Sequence, residues 1–382
     1  MPLTWRNAMA TALYGPDGFF VGGAGPAAHF RTSVHASPAF ATAMLRVLDQ
    51  LDEALGRPDR LDVVDVGAGR GELLTALVGY APSGLRRRLR LTAVELAPRP
   101  EPLPAEIEWR DVPPDGVTGL LLATEWLDNV PLDVVEPVPR QPVTTGSATP
   151  SDPAASRPPA AGDPTGNESA VSDPARSESA VSESVGETAG WRRLMVDPTS
   201  GVESPGPAVD PAEAEWLATW WPEAPGGRAE LGLSRDIAWA GAVARIHRGL
   251  ALCVDYGHLA GNRPAGGSLT GFLGGRQVPP IPDGSRDITA HVAIDSAAAA
   301  GSVAAGLPYT LLTQREAMRA LGADGGRPPL ALASTDPAGY VRALAAASAV
   351  AELTDPAGLG GHWWLLQPVG VDPATLMARW RT

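Results

Sequence analysis

The chain has 382 residues, of which 44% are hydrophobic, and a formal net charge of −13. This length predicts two or three domains, or one α/β domain with insertions, around a sizeable core. The negative charge argues against nucleic acid as the main partner, because phosphate contacts need clustered positive charge. The sequence contains no run of 18 apolar residues, so we expect no membrane span, and the N-terminus does not resemble a secretory signal.

Cysteine and histidine are too sparse to suggest a metal site. Cys253 is the only cysteine and lies in the apolar run LALCV, which predicts a small buried hydrophobic residue. The six histidines are scattered and show no spacing typical of metal ligands. We therefore expect neither an intrachain disulfide nor a bound metal.

The N-terminal part of the chain alternates between strand and helix patterns. Residues 61–66 (LDVVDV) form a short apolar run that favours a buried parallel strand, and residues 71–78 carry apolar side chains at helical spacing. Residues 89–96 and 118–124 predict two further strands. Strands separated by helices indicate a mostly parallel, doubly wound sheet.

The composition changes sharply at residues 141–190, which are rich in Pro, Ser, Thr, Ala, Gly and Glu. Such a segment buries too little apolar surface to offset its ordering entropy, so we predict a disordered insertion. Beyond it, residues 212–221 and 234–247 have helical patterns. Three strands are predicted at residues 250–255, 308–313 and 362–367.

A glycine-rich turn follows the first predicted strand, with the sequence DVGAGRGE from Asp65 to Glu72. Gly67, Gly69 and Gly71 would let the backbone turn sharply and approach a ligand, with Ala68 between them. The G-x-G-x-G spacing differs from the G-x-G-x-x-G of dinucleotide sites, and an acidic Glu72 would repel a pyrophosphate. The pattern favours a sulfonium cofactor, S-adenosyl-L-methionine (SAM), with Asp65 near its cationic methionine portion.

Two acidic residues complete the predicted cofactor site. Glu95 ends the second strand, where a carboxylate can accept hydrogen bonds from both ribose hydroxyls. Asp111, after the short run at residues 107–109, is a weaker candidate for the adenine amino group. The alternative interpretation is a generic glycine-rich turn with an acidic strand end that is there by chance.

Beyond the cofactor loop, the sequence resembles the MidA-like methyltransferase family, which includes the arginine methyltransferase that assembles mitochondrial complex I. The resemblance covers about residues 14–322, without the insertion. It rests on six blocks in the family's order: residues 29–33 (HFRTS) with Tyr14 and residues 37–40, residues 66–73 (VGAGRGEL), residues 123–131 (ATEWLDNVP), residues 251–257 (ALCVDYG), residues 287–292 (DITAHV) and residues 312–314 (LTQ).

The resemblance implies a Rossmann-like class I fold, α/β, with a mostly parallel seven-stranded sheet and an inserted helical subdomain. We expect five regions along the chain. They are an N-terminal lid segment (1–48), the SAM-binding half of the methyltransferase domain (49–140), the disordered insertion (141–190), the helical subdomain (191–248) and the C-terminal half of the domain (249–382).

The resemblance also implies SAM-dependent N-methylation of an arginine in a protein substrate, such as a respiratory complex I subunit, in the bacterial cytoplasm. Glu125 would grip the substrate nitrogen, and Asp128 would assist it or fix the turn. Both carboxylates could instead simply cap a polar loop.

Other predicted site residues follow from the same blocks. Tyr256 would line the methyl site with Asp255 behind it, and His291 would act as a general base beside Asp287 and Thr289. Packing roles are the alternative for these residues, and a satisfied, partly buried histidine for His291. The segment containing Phe30, Thr32 and Ser33 would close over the cofactor, or only pack on the surface.

Two other functions stay open at this point. One is methylation of a small molecule, which a closed, narrow pocket would favour. The other is a non-catalytic assembly or scaffold protein, which loss of the glycine loop or of Glu125 would indicate; neither is lost. For the arginine methyltransferase function, the expected partner is a protein with an accessible arginine. The sequence leaves the oligomeric state open.

Overall fold

A computed structural model of the chain describes residues 1–22, 33, 38–138, 190–223, 227–323, 325–378 and 380. Within it, Met1–Pro137 and Gly190–Thr382 form one compact unit. The predicted insertion at residues 141–190 lies outside the described residues except for Gly190, so its disorder stays a prediction. Phe30 and Thr32 also lie outside them.

The strands of the described residues, in chain order, are β1 Leu3–Thr4, β2 Leu61–Val66, β3 Leu89–Val94, β4 Ile107–Arg110, β5 Val117–Thr124, β6 Asp133–Pro137, β7 Trp191–Val196, β8 Glu203–Ala208, β9 Ala229–Leu231, β10 Ile246–Asp255, β11 Gly257–His258, β12 Thr270–Leu273, β13 Arg276–Val278, β14 Asp287–Thr289, β15 Val292–Ala293, β16 Thr310–Thr313 and β17 Trp363–Val369.

The α-helices of the same residues are α1 Trp5–Tyr14, α2 Phe19–Gly22, α3 Pro38–Ala54, α4 Glu72–Tyr80, α5 Ser83–Arg86, α6 Pro211–Trp220, α7 Leu233–Val243, α8 Ile294–Ala305, α9 Gln314–Ala320, α10 Leu330–Thr335, α11 Pro337–Leu353 and α12 Pro373–Met377. Short 3₁₀ turns lie at Leu127–Asn129, Ala260–Asn262 and Leu359–Gly361. None of the helices in the described ranges is long and apolar enough to cross a membrane.

The main sheet has seven strands in the order β16-β17-β10-β5-β2-β3-β4. Neighbours from β10 to β4 are parallel, and β17 runs antiparallel to both of its neighbours. The predicted seven-stranded, mostly parallel sheet is therefore confirmed. The chain order reverses between β2 and β5, and open α/β sheets bind ligands at the carboxyl end of such a switch point.

The central strands form because their apolar runs are covered on both faces. All six residues of β2 are buried. Helices α3 and α4 supply one apolar layer, and helices α7 and α8 supply the other. Cys253 in β10 is buried among these residues, as its apolar surroundings predict.

The prediction of a helical subdomain at residues 191–248 is wrong, because the region contains three strands as well as two helices. Helices α6 and α7 are present, but β7, β8 and β9 lie between and before them and pair with β1 and β6 in a five-stranded sheet. Helix α7 packs against the main sheet instead. Apart from the local pairing of β7 with β8, the sheet was not predictable locally, since its other pairings join residues more than 50 positions apart, as Val135 with Arg193.

Candidate functional site

A cleft of about 1490 Å³ opens at the carboxyl ends of the central strands. It adjoins the switch point between β2 and β5. Most of the predicted site residues line it, namely Asp65, Gly67, Ala68, Gly69, Glu95, Asp111, Glu125, Asp128, Tyr256 and His291. Residues that follow different strands thus converge on one site.

The glycine loop after β2 requires glycine for two physical reasons. Gly67, Gly69 and Gly71 have φ angles of +72°, +59° and +79°, which residues with a Cβ rarely adopt. A Cβ on Gly67 would also lie 2.9 Å from Cδ1 of Trp126, and one on Gly71 would lie 2.5 Å from Cδ1 of Leu103. Gly71 does not line the cleft; it is the residue from which α4 begins.

Glu95 connects the end of β3 to the glycine loop. Its Oε2 accepts a hydrogen bond of 3.0 Å from the Gly69 amide, and its Oε1 accepts hydrogen bonds from the amides of Leu96 and Ala97. Burial raises the pKa of this carboxyl, while these amides oppose the rise. Oε2 therefore has a second lone pair that a ligand hydroxyl can use, whereas the two amides occupy both lone pairs of Oε1. Asp111 lines the same cleft and is exposed.

Asp65 lies under the loop and is only 4% exposed. Burial, followed by the charges of Glu72 and Glu95, raises its pKa to about 8. Among the described residues, no hydrogen-bond donor or cationic partner contacts its carboxyl group. A cationic ligand in the cleft would therefore favour its ionised form.

Glu125 has a strained backbone at the end of β5. Its φ of +50° is unusual for a residue other than glycine, and its amide is held by a 2.8 Å hydrogen bond to the Val254 carbonyl. The amide of Ser33 donates a 3.0 Å hydrogen bond to Oε1 of Glu125. Burial nevertheless raises the pKa of Glu125 to about 8.

Asp128 is buried at the floor of the cleft. Its Oδ2 accepts hydrogen bonds from the hydroxyls of Tyr256 and Thr289, the latter at 2.7 Å. Its Oδ1 is buried and has no hydrogen-bond partner among the described residues. Burial raises the pKa of Asp128, and the two hydroxyls and the Arg235 charge lower it.

Asp255 lies beneath the cleft and does not line it. Its side chain is fully buried, and its Oδ2 accepts hydrogen bonds from the amides of Leu127 and Asp128 at 2.9 and 3.3 Å. Asp255 thus lies behind the cleft lining, in keeping with the position behind Tyr256 expected from the sequence, and it shapes the turn that carries Asp128.

The other predicted residues are placed as follows. Tyr256 contacts the His291 ring edge-on, with centroids 5.2 Å apart. His291 remains exposed, and the partial loss of water around its ring lowers its pKa. Ser33 contacts Glu125 and Gln314, whose Oε1 accepts the Ser33 hydroxyl at 3.2 Å, and is not part of the cleft lining. The prediction that Ser33 contacts the cofactor is therefore not supported by its position.

Several residues at the site were not identified from the sequence as contributors. Trp126 packs against Gly67, and the Tyr14 hydroxyl donates a 3.2 Å hydrogen bond to the Asn129 carbonyl. Asn129 in turn donates a 2.8 Å hydrogen bond to Asp287, whose pKa burial raises to about 8. The only sequence signal for these residues was that they lie in the blocks that carry the family resemblance. Membership of a block does not show which residues contact each other.

The sequence matches the family Methyltransf_28, described as "Putative S-adenosyl-L-methionine-dependent methyltransferase", over residues 41–311. The chain belongs to this family. SAM is accordingly its cofactor, as the glycine spacing predicts. The prediction of a SAM-dependent methyltransferase with SAM as its cofactor is thus confirmed, whereas MidA-like substrate specificity stays a prediction.

Two solved structures from Burkholderia thailandensis share the fold. One is a COG1565 superfamily member bound to S-adenosyl-homocysteine, with 24% identity, a TM-score of 0.71 and coverage of 99% of this chain and 91% of the other. The second is a native structure of a COG1565 superfamily protein, with 22% identity, a TM-score of 0.69 and coverage of 98% and 90%. No curated protein matches the sequence.

Proposed function

We propose that this methyltransferase modifies the side-chain nitrogen of an arginine in a protein. Following the MidA-like resemblance, a respiratory complex I subunit is the proposed acceptor. The observation that carries the proposal is the group of carboxyls from Glu125, Asp128 and Asp287 on one part of the cleft. A guanidinium is the side chain whose planar donors best match several carboxylates.

The balance of charge in the cleft supports a cationic acceptor. Among the described residues, Arg245 is the only arginine that lines the cleft, and its Nη1 lies 2.6 Å from Oδ1 of Asp115. The carboxyls therefore have no cation among the described residues to pair with inside the cleft. An incoming guanidinium would supply that charge and lower the pKa of Glu125 from about 8, which favours ionisation.

At the cofactor end, the residues fit a bound sulfonium nucleoside. The Gly67–Gly71 turn leaves room for close backbone approach, Oε2 of Glu95 would accept a ribose hydroxyl, and Asp65 would face the cationic methionine portion. Asp111 would accept a hydrogen bond from the adenine amino group. When bound, SAM supplies a methyl group on a positively charged sulfur.

At the acceptor end, the chain's contribution would be orientation and proton removal. Glu125 would hold the guanidinium so that one nitrogen lies in line with the methyl carbon and its sulfur. As the nitrogen forms its bond to carbon, the carbon–sulfur bond breaks and its electron pair stays on sulfur. The attacking nitrogen then loses one proton, and the carboxylate of Glu125 would accept it, with Asp128 stabilising the positive charge.

The size of the cleft favours this function over methylation of a small molecule. Small-ligand pockets measure about 300–1,000 Å³, whereas this cleft of about 1490 Å³ has room for the cofactor and an inserted side chain. A scaffold role is disfavoured because the glycine loop, Glu95 and Glu125 are all present.

The test is methyl transfer from SAM with a radiolabelled methyl group to peptides of identical sequence that contain arginine, lysine or alanine at one position. The purified full chain should label only the arginine peptide, and hydrolysis should release methylarginine. Labelling of lysine, or of a small amine in preference to any peptide, would contradict the proposal.

A further inference from the structure

Arg235 on helix α7 is a buried arginine whose contacts are with main-chain carbonyls. It is 1% exposed. Its Nε donates to the Val130 carbonyl at 3.1 Å, and its Nη1 donates to those of Ala290 and His291 at 2.8 and 3.1 Å. Its Nη2 donates to the Asp128 carbonyl. Within the described residues, no carboxylate forms an ion pair with it.

These four carbonyls belong to two separate loops. Asp128 and Val130 lie in the turn after β5, which carries Glu125, whereas Ala290 and His291 lie between β14 and β15. Among the described residues, the main-chain hydrogen bond between the two loops is a long one, from the Ala290 amide to the Asp128 carbonyl at 3.3 Å. Side-chain hydrogen bonds of Thr289 and Asn129 also join the two loops. The guanidinium adds four hydrogen bonds, two to the carbonyls of each loop.

The geometry points to Arg235 as a positioning residue for methyl transfer, which fixes the Asp128 loop relative to the Thr289 loop without itself contacting the cleft. This inference rests on the proposed function for its activity readout. Arg235 does not line the cleft, so any effect on catalysis must pass through these loops. Because the guanidinium is rigid and planar, it fixes distances that a flexible ammonium would not.

The charge of Arg235 has a second consequence for the same site. It lies near Asp128 and Asp255, where it favours their ionised forms against the effect of burial. The other titratable groups around Asp128 are Tyr14, Glu125, Cys253, Tyr256, Asp287 and His291. Among the described groups, Arg235 is the permanent cation that acts on this set. Its removal would leave a group of like charges with less compensation.

The test compares Arg235→Met, Arg235→Lys and a matched control, Arg263→Met. Arg263 is also buried, with its side chain 3% exposed, and donates to the carbonyls of Trp220 and His258 and to Asp295. None of these residues belongs to the candidate site. The full-length variants are compared for SAM affinity by calorimetry, for kcat and KM with the arginine peptide, and for amide hydrogen exchange in residues 126–131 and 288–292.

The inference predicts that Arg235→Met lowers kcat about 100-fold, because a displacement near 1 Å at a reacting group has an effect of this size. SAM affinity should stay within about twofold of the wild-type value, since the glycine loop follows β2 and does not contact Arg235. Amide hydrogen exchange should accelerate in residues 126–131 and 288–292. Arg235→Lys should restore part of kcat. Arg263→Met should lose a comparable amount of stability with kcat and both segments unchanged.

Equal kcat values for Arg235→Met and Arg263→Met would overturn the inference, as would unchanged exchange in the two loops of Arg235→Met. If the wild-type protein binds SAM but methylates no arginine peptide, the proposed function fails by itself. In that case the exchange comparison still decides whether Arg235 holds the two loops together.

Discussion

The amide of Gly69 donates a 3.0 Å hydrogen bond to Oε2 of Glu95, which joins the glycine loop after β2 to the end of β3. The two residues are 26 positions apart, yet the parallel pairing of β2 with β3 brings their strand ends to the same edge. The residue that would bind the ribose therefore also fixes the loop that would surround the cofactor.

Replacement of Glu95 by glutamine should weaken SAM binding by about 10- to 100-fold, since a hydrogen bond to a charged group is worth about 1.5–3 kcal/mol. The side-chain NH₂ of glutamine would also face one of the backbone N–H groups that now donate to Glu95, so that two donors would meet. Calorimetric titration measures the affinity. Glu108→Gln on the exposed part of β4 is the control, and an equal loss in both variants would contradict the assignment.

Glu125→Gln should lower kcat by about 100- to 10,000-fold, the usual range for loss of a general base. The amide cannot accept the proton that leaves the substrate nitrogen, although it has nearly the same shape. SAM affinity should change little, because Glu125 follows β5 and the glycine loop follows β2. Steady-state kinetics with the arginine peptide measure kcat, and Glu136→Gln in β6 serves as the control.

The stability of the ligand-free protein should fall as the pH rises from 6.5 to 8.5. The carboxyls of Asp65, Glu125 and Asp287 have their pKa raised to about 8 by burial, from ordinary values near 4. Between these values the folded chain holds more protons than the unfolded chain, so the free energy of unfolding decreases with pH. His258 and His362, with their pKa lowered to about 3 and about 4, act in the opposite sense only below about pH 6.5.

Thermal unfolding followed by circular dichroism at pH 6.5, 7.5 and 8.5 tests this prediction. Asp65→Asn removes one of the three ionisations, so its Tm should fall less over the same range and should exceed that of the wild type at pH 8.5. A wild-type Tm that rises between pH 6.5 and 8.5 would show that these carboxyls are not held protonated in the folded chain.

Gly249→Ala should destabilise the main sheet by about 3 kcal/mol, a typical cost for overpacking a tight site. Gly249 in β10 lies opposite Gly119 in β5, and an added Cβ would approach the Gly119 carbonyl oxygen to 1.9 Å. Urea unfolding gives the free energy. Gly79→Ala in α4, where a Cβ would meet no atom within 4 Å, should leave stability unchanged or slightly higher.

The central sheet was predictable because its signals are local. Four of the six residues of β2 are apolar and all six are buried, and the glycines that follow have the positive φ that their residue type permits. The seven-strand count and the cofactor came from the resemblance and the glycine spacing together. Each of these features depends on a few consecutive residues.

The site's internal contacts were not predictable in the same way. Arg235 could not be linked to Asp128, 107 positions away, and the hydrogen bond from the Leu127 amide to Asp255 could not be foreseen. The five-stranded sheet was not predicted for the same reason, since β1 pairs with β7 across almost 200 residues. Pairings over such distances depend on the folded chain and leave no periodic pattern in the sequence.

Calorimetric titration with SAM tests the cofactor site at the centre of this account, with Gly69→Val and NADH as controls. Gly69 has a φ of +59°, which a β-branched residue strongly disfavours. The account predicts micromolar SAM binding to the wild type, its loss in Gly69→Val, and no binding of NADH. Absence of SAM binding to the wild type, or equal binding to Gly69→Val, would contradict the assignment of this cleft.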